Sequence, residues 1–255
     1  MSKKEAFLKR IGLSPDMEVE HTYDFLKEVQ LHCVLSIPYE NLDILKGIPI
    51  SLDAEDIYKK IVENNRGGYC FEVNALLSHM LKEMGFEVSS YFARYVRGEE
   101  DVPMRRHRII AVTCENGTYM CDIGVGQIAP RYPVKMEEGL VQEQFGEQYR
   151  FEKDTDAGWV LFDDTKGEWM PYITFTEEKQ YEIDFVQPSF YCEKHPDSVF
   201  NKAPMLAIKT LTGRKTVDGR TYKEFTGNEL ICIEEDISDE RLKEILEKSF
   251  FLQDV

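Results

Sequence analysis

The order of apolar periods along this sequence predicts an α+β protein, and three observations carry that reading. Helical spacing governs the first third, β-branched and aromatic runs with an Asn-Gly turn govern the middle, and short strands with a closing helix make up the last third. Helices segregated from strands argue against a doubly wound parallel sheet, in which the two alternate. With 255 residues, 42% of them hydrophobic and 31% charged, the chain can bury a large core and has the composition of neither a disordered nor a fibrous protein.

The elements follow in order. Ser2-Lys3-Lys4-Glu5 is a capping-box pattern that opens a first helix, and Phe25, Leu26, Val29 and Cys33 recur at helical spacing behind Thr22. Ile57, Ile61 and Val62 form a short amphipathic face behind Asp53, a candidate cap. Val73, Leu76, Leu77, Met80, Leu81 and Met84 trace the apolar stripe of a longer helix that ends at Gly85. From Glu87 the period changes. Residues 88–96, 108–113 and 118–122 read as strands, the last two joined by a tight turn at Asn116-Gly117, and 159–162 and 172–175 continue an antiparallel sheet or barrel. Strand-like runs at 205–208 and 229–233 precede a helix faced by Leu242, Ile245, Leu246 and Phe250.

A net charge of −16 repels nucleic acid, so no nucleic-acid partner is expected. No apolar run of about 18 residues offers a membrane span. The N-terminus lacks the continuous apolar core of a secretory signal, so a cytoplasmic location is expected. The six cysteines form no CxxC pair, and free thiols are expected rather than a disulfide framework. Cys192 and His195 have a metal-like spacing but no second pair, so no metal site is expected.

The richest chemistry lies in Arg66-Gly67-Gly68-Tyr69-Cys70-Phe71-Glu72-Val73-Asn74. Two glycines allow a sharp turn, and Cys70 stands where a helix begins, a position whose unpaired N–H groups favour an anion. The thiolate is the reactive form of cysteine, although a buried cysteine behind a turn is often only a small apolar filler. A cysteine nucleophile needs a base, and the base needs a group to orient it. Of five histidines, His79 lies nine positions along the Cys70 helix, His21 and His32 belong to the first helices, and His195 precedes a proline. His107 opens a strand with Asp122 on the next. The tight turn at Asn116-Gly117 would set Asp122 opposite Ala111, four residues or about 13 Å along the strand from His107. Contact then requires a wider loop or a bulge. The Gly124-Val125-Gly126-Gln127 loop is either a plain turn or a backbone that approaches an acyl or phosphate group.

Ile37-Pro38-Tyr39-Glu40-Asn41-Leu42, the Arg-Gly-Gly-Tyr-Cys block, His107, Asp122-Ile123-Gly124-Val125-Gly126 and His195-Pro196-Asp197-Ser198-Val199-Phe200 together resemble the arylamine N-acetyltransferase family, in order and over nearly the whole chain. The resemblance implies an N-terminal helical bundle over residues 1–85, a central antiparallel β-barrel over 86–200 and a C-terminal α/β lid over 201–255. It places a papain-like triad on Cys70, His107 and Asp122 and implies acetyl-CoA as co-substrate, an arylamine or arylhydrazine acceptor, and ping-pong transfer. Tyr39 and Val125 stand where the family commonly has Phe, at positions that border its acceptor pocket, and the chain stops sooner after the lid than its relatives do. A thiol acyl hydrolase or transglutaminase-like enzyme would use the same triad, and a silent binder of CoA or arylamines would use only the cleft.

One expectation comes from charge. Between Lys202 and Lys223 six basic residues face a single acid, Asp218, and CoA is a polyanion. Arg214 and Lys215, following Gly213 in an expected loop, are candidates for its phosphates, with Gly126, Gln127 and Phe200 beside the acyl arm. The alternative holders are Arg105, Arg106 and Arg108, next to His107.

Overall fold

The computed structural model describes residues 1–165 and 167–253. Helix α1 (Lys3–Arg10) opens with the expected capping box: the Glu5 amide donates to Ser2 Oγ at 3.2 Å and the Ser2 amide to Glu5 Oε2 at 2.8 Å. Helix α2 (Tyr23–Ser36) is capped by Thr22, and a two-residue strand β1 (Tyr39–Glu40) and a short α3 (Leu42–Leu45) follow. Asp53 caps α4 (Ala54–Tyr58), which widens into a π turn at Lys59–Glu63. Helix α5 (Cys70–Glu83) buries Val73, Leu76, Leu77, Met80 and Leu81 against α1, α2 and the sheet, as its apolar stripe predicts.

Eight strands make one antiparallel sheet: β2 (Glu87–Tyr95), β3 (His107–Cys114), β4 (Gly117–Cys121), β5 (Val134–Lys135), β6 (Val141–Gln144), β7 (Glu147–Asp154), β8 (Gly158–Thr165) and β9 (Glu168–Phe175). Their order, β5-β4-β3-β2-β9-β8-β7-β6, leaves β5 and β6 as edges. Two glutamine side chains bridge those edges and nearly close the barrel. Gln142 accepts from the Lys135 amide at 2.8 Å and donates to its carbonyl at 3.0 Å; Gln144 does the same for Tyr132 at 2.5 and 3.1 Å. Strands β3 and β4 are buried on both sides, with Ile110, Val112 and Cys121 toward the helices and Ile109, Ala111 and Met120 in the barrel.

Helix α6 (Val186–Lys194) leads to a second sheet, β10 (Met205–Lys209), β11 (Gly213–Asp218), β12 (Thr221–Thr226) and β13 (Glu229–Glu234), closed by α7 (Asp239–Ser249). Strand β1 joins its edge, with Tyr39 opposite Ala207, so the segment before the Arg-Gly-Gly turn is stitched to the C-terminal sheet. Among the described residues no helix is long and apolar enough to cross a membrane.

Two local expectations are corrected. The β3–β4 ladder pairs Cys114 with Gly117 and Ile110 with Cys121, so the turn residues are Glu115 and Asn116, not Asn116 and Gly117. Gly117 instead opens β4 at φ +134°, where a side chain would be strained. Arg214 and Lys215, expected in a loop that shows both side chains on one side, lie in β11, and neighbours in a strand point to opposite faces.

Candidate active site

The corrected register brings the chemistry together. It carries Asp122 to a position opposite Ile109, two residues from His107 on the same face, and diagonal neighbours at that spacing are within reach of each other. His107 Nε2 and Asp122 Oδ2 are 2.7 Å apart, and both residues are buried. That leaves Nδ1 as the ring nitrogen on the thiol side. Burial opposes the charge on His107, but the Asp122 carboxylate, the hydrogen bond to it and a hydrogen bond with Cys70 outweigh burial and push the imidazole up to about 10. Cys70 Sγ lies 3.9 Å from the Arg106 carbonyl oxygen, and the residue as a whole is 3% exposed.

The glycines serve this assembly by allowing close approach. A Cβ on Gly67 would sit 2.1 Å from the Pro38 carbonyl oxygen, and one on Gly124 would sit 2.7 Å from Cys70 Cα and 2.9 Å from Asn74 Nδ2. Gly67, Gly68 and Gly124 all lack a positive φ, so in place of the sharp turn expected of the Gly-Gly pair the structure has a tight packing of β1 and the 123–125 backbone onto the start of α5.

Behind the turn lies a buried ionic cluster. Arg66 donates to Glu40 at 2.7 Å and to Asp43 at 2.8 Å, Lys60 pairs with Asp43 and Glu72 at 2.7 Å each, and Glu72 accepts from the Tyr69 amide at the head of α5. Burial pushes Glu72 up to about 7 despite Lys60.

Asn74 was quoted in the sequence only as part of a motif, yet it joins the parts. Its Nδ2 donates to Asp122 Oδ1 at 2.8 Å and to the Arg108 carbonyl at 2.6 Å, and its Oδ1 accepts from the Ile123 amide at 2.9 Å. One amide thereby locks α5, β3 and the loop after β4. The available signal was its position, one helical turn beyond Cys70 on the same face.

The other expected residues are more dispersed. Tyr39 and Phe200 pack in the apolar cluster that holds Cys70, and Phe200 meets the Tyr69 ring edge-on. Burial, then the neighbouring Cys70 and Cys192, hold the Tyr39 hydroxyl well above its usual range. Val125 packs between the helical and barrel cores. Gly126 takes φ +69°, and exposed Gln127 accepts from Arg214 Nε at 3.2 Å. Arg214 also donates to the Gly227 carbonyl and lies over the Phe225 ring.

Lys215 pairs with Glu224 at 3.5 Å, Lys209 with Glu147 at 2.9 Å and Arg220 with Asp239, so three of the six basic residues between Lys202 and Lys223 are answered by acids from outside that segment. Arg108, an alternative phosphate holder, is wholly buried and donates to both oxygens of Glu182 at 2.7 and 2.8 Å. A cleft of about 710 Å³ opens on the Arg106 side, walled by Phe92, Tyr191 and Met104, and neither Tyr39 nor Val125 lines it. Among the described residues no group of three His, Cys, Asp or Glu side chains could hold a metal ion.

Helices, a nearly closed antiparallel barrel and a second sheet meeting around a thiol, an imidazole and a carboxylate define an N-acetyltransferase class of fold, and the family model of that description matches residues 22–253. An arylamine N-acetyltransferase of Mycolicibacterium smegmatis is 38% identical over 224 residues, covering 84% of this chain and 79% of that protein. Among solved structures, a cysteine-to-glutamine variant of the Mycobacterium smegmatis arylamine acetyltransferase superposes with a TM-score of 0.92 at 32% identity, covering 99% of this chain and 93% of that one. The Mycobacterium marinum arylamine N-acetyltransferase in complex with CoA gives 0.91 at 28%, covering 98% and 92%. The chain belongs to the arylamine N-acetyltransferase family and is an acyltransferase.

Proposed function

We propose that this protein moves an acetyl group from acetyl-CoA to the nitrogen of arylamines and arylhydrazines, in two steps through acetyl-Cys70. The observation that carries the reading is the buried pair of His107 Nε2 and Asp122 Oδ2 at 2.7 Å, with the Cys70 sulfur packed against the carbonyl of the residue before His107 and the imidazole pushed up to about 10 by Asp122 and Cys70. The CoA-bound state of the Mycobacterium marinum relative supports acetyl-CoA as donor.

The Cys70 sulfur attacks the thioester carbonyl as a thiolate beside the His107 imidazolium, and the bond to the CoA sulfur breaks. The departing CoA thiolate takes the proton from His107, which leaves a neutral imidazole. That imidazole is the base the second step needs: the acceptor nitrogen attacks acetyl-Cys70, gives its proton to His107, and the thiolate–imidazolium pair is restored. Asp122 fixes the ring and stabilises its charged form in both steps. Gly126, Gln127, Phe200 and Arg214 are proposed along the CoA arm, with Lys215 demoted to a partner of Glu224. Tyr39 and Val125 are proposed at the acceptor's entry. Residues 1–85 supply the thiol, 86–200 the imidazole and carboxylate, and 201–255 the donor-side cover.

Mass spectrometry after mixing with acetyl-CoA tests the reading. One acetyl group on Cys70, stable until an arylamine is added, is the expected result. Rapid loss of the acetyl group to water would favour the thiol hydrolase, and no acetylation at all would leave a binding protein.

A further inference from the structure

The segment from Glu182 to Lys194, a short turn (Glu182–Phe185) that runs into α6, supplies no reacting group, yet it touches the chain neighbours of both Cys70 and His107. Beside Cys70 it meets Tyr69, whose hydroxyl is hydrogen-bonded to Ser189 Oγ, and Phe71, whose ring centre lies 6.1 Å from that of Phe185. Beside His107 it meets Arg108. The Arg108 guanidinium donates to Glu182 Oε2 at 2.7 Å, to Glu182 Oε1 at 2.8 Å and to Ser90 Oγ at 3.0 Å, and its carbon stands 4.4 Å from the centre of the Phe185 ring. Phe185 belongs to the apolar cluster that holds Cys70.

Arg108 is wholly buried, and among the described residues Glu182 is the one acid that pairs with it. A buried charge stripped of its partner is strongly destabilising, and a guanidinium binds a carboxylate through two parallel hydrogen bonds, so this pair fixes direction as well as distance. Successive side chains of a strand leave on opposite faces, so Arg108 reaches the turn before α6 while His107, one residue earlier, turns toward Asp122 and the thiol. The same residue is also held by its backbone, because the Arg108 carbonyl accepts from Asn74 Nδ2 at 2.6 Å. The start of β3 is thus tied to α5 through Asn74 and to the turn before α6 through Glu182. Glu182 does not line the cleft, although Ile183 and Asp184 after it do.

We infer that Glu182 is a positioning residue: by answering the buried charge of Arg108 it holds the start of β3, and with it the His107 imidazole, where the imidazole can pair with Cys70. This rests on the proposed transfer through acetyl-Cys70 and adds to it a carboxylate that acts only through Arg108. The charged and titratable groups that face Glu182 are Arg108 on β3 and His79 and Lys82 on α5. Burial keeps His79 below its usual range, with Nε2 3.9 Å from Glu182 Oε2, so His79 adds no charge there at neutral pH. The groups that face His107 are Asp122 and Cys70.

The test reads Cys70 in the full-length protein without any acetyl transfer. Iodoacetamide reacts with the thiolate, so its rate against pH reports the Cys70–His107 pair. In Glu182→Gln, which keeps the shape and removes the charge, the rate at about pH 6.5 is expected to fall about 10-fold or more, with the profile moving toward that of an ordinary thiol near about pH 8.5. Glu182→Asp keeps the charge on a shorter arm and should shift the profile less, in the same direction. A urea midpoint measured on each variant separates aim from stability. A lower midpoint with an unmoved profile would make Glu182 a stabiliser only and overturn the inference, and a loss in Glu182→Asp as deep as in Glu182→Gln would do the same. Should Glu182→Gln fail to fold, Glu182→Asp carries the test, and an unmoved profile there also overturns it. A Cys70 that takes no acetyl group from acetyl-CoA would sink the proposed transfer and leave this result standing, since alkylation needs no donor.

Discussion

His107 sits between a thiol and a carboxylate at the junction of α5 and β3, and with a pKa of about 10 it carries its proton throughout the neutral range. Alkylation of Cys70 by iodoacetamide is therefore expected to stay fast at pH 6 to 7 and to slow in His107→Gln. A rate in the native protein that climbs only as an ordinary thiol titrates, near pH 8.5, would refute the pairing. Cys70→Ser should abolish acetyl transfer. Asn74 sets the aim of this assembly through three hydrogen bonds. Asn74→Ala should leave the Ile123 amide and the Arg108 carbonyl short of a partner at about 1–3 kcal/mol each, and loosen Asp122. Its mark as a positioning residue would be a shifted pH profile of alkylation, beyond a lower urea midpoint. Cys70, His107 and Asp122 were legible as residues because reactive groups are few and their sequence surroundings distinctive. Asn74 was not, because its partners lie at least 34 positions away and only the fold reveals them.

At the scale of elements, legibility followed burial. Helix α5, β2 and β3 carry dense apolar or β-branched runs and were read from the sequence close to their observed limits, while of β9 only the apolar second half, 172–175, was read. Strands β6 and β7 went unread, since Val141–Gln144 is mostly polar and Glu147–Asp154 buries little beyond Tyr149 and Phe151. Their pairing is set by partners across the barrel, not by local propensity. The same polarity does a job there: the side-chain amides of Gln142 and Gln144 stand in for a backbone ladder that β5 and β6 do not form. Gln144→Ala strips the Tyr132 amide and carbonyl of their partners, and the loss is expected at about 1–3 kcal/mol, with faster hydrogen exchange confined to β5 and β6. Exchange that rises equally across β2 and β3 would mean that the seam is not a local closure. The turn between β3 and β4 shows the converse failure. An Asn-Gly pair is a strong hairpin signal, but moving the turn by one residue changed Asp122 from a distant group to a neighbour of His107.

Across the whole molecule, excess negative charge coexists with buried cations that hold its parts together. Glu147 on the barrel accepts from Arg131 at 2.8 Å and from Lys209 of the second sheet at 2.9 Å, and Arg131 donates onward to the carbonyls of Thr210 at 2.9 Å and Gly213 at 2.7 Å. Composition alone left open whether the basic residues from Lys202 to Lys223 answer acidic neighbours or a phosphate, because sequence distance hides an acid 62 positions away. Burial pulls Lys209 down to about 8 even with Glu147 holding its charge. Below pH 8 both folded and unfolded chains keep this proton, and the native state bears the full cost of a buried ammonium. Between pH 8 and about 10.5 the unfolded chain binds more protons, so this group's contribution to stability rises with pH. Glu147→Gln removes the one partner that both cations share, and breaking a buried pair in this way costs roughly 3–5 kcal/mol. The deficit in urea unfolding free energy should be largest near pH 7 and shrink by pH 9.5, as Lys209 loses its proton more readily without Glu147. Acetyl-Cys70 should still form, since Cys70, His107 and Asp122 are held by α5, β3 and Asn74, apart from this clamp. A deficit of equal size at both pH values would show that Glu147 acts through Arg131, which stays charged throughout, or through packing, rather than through the charge of Lys209.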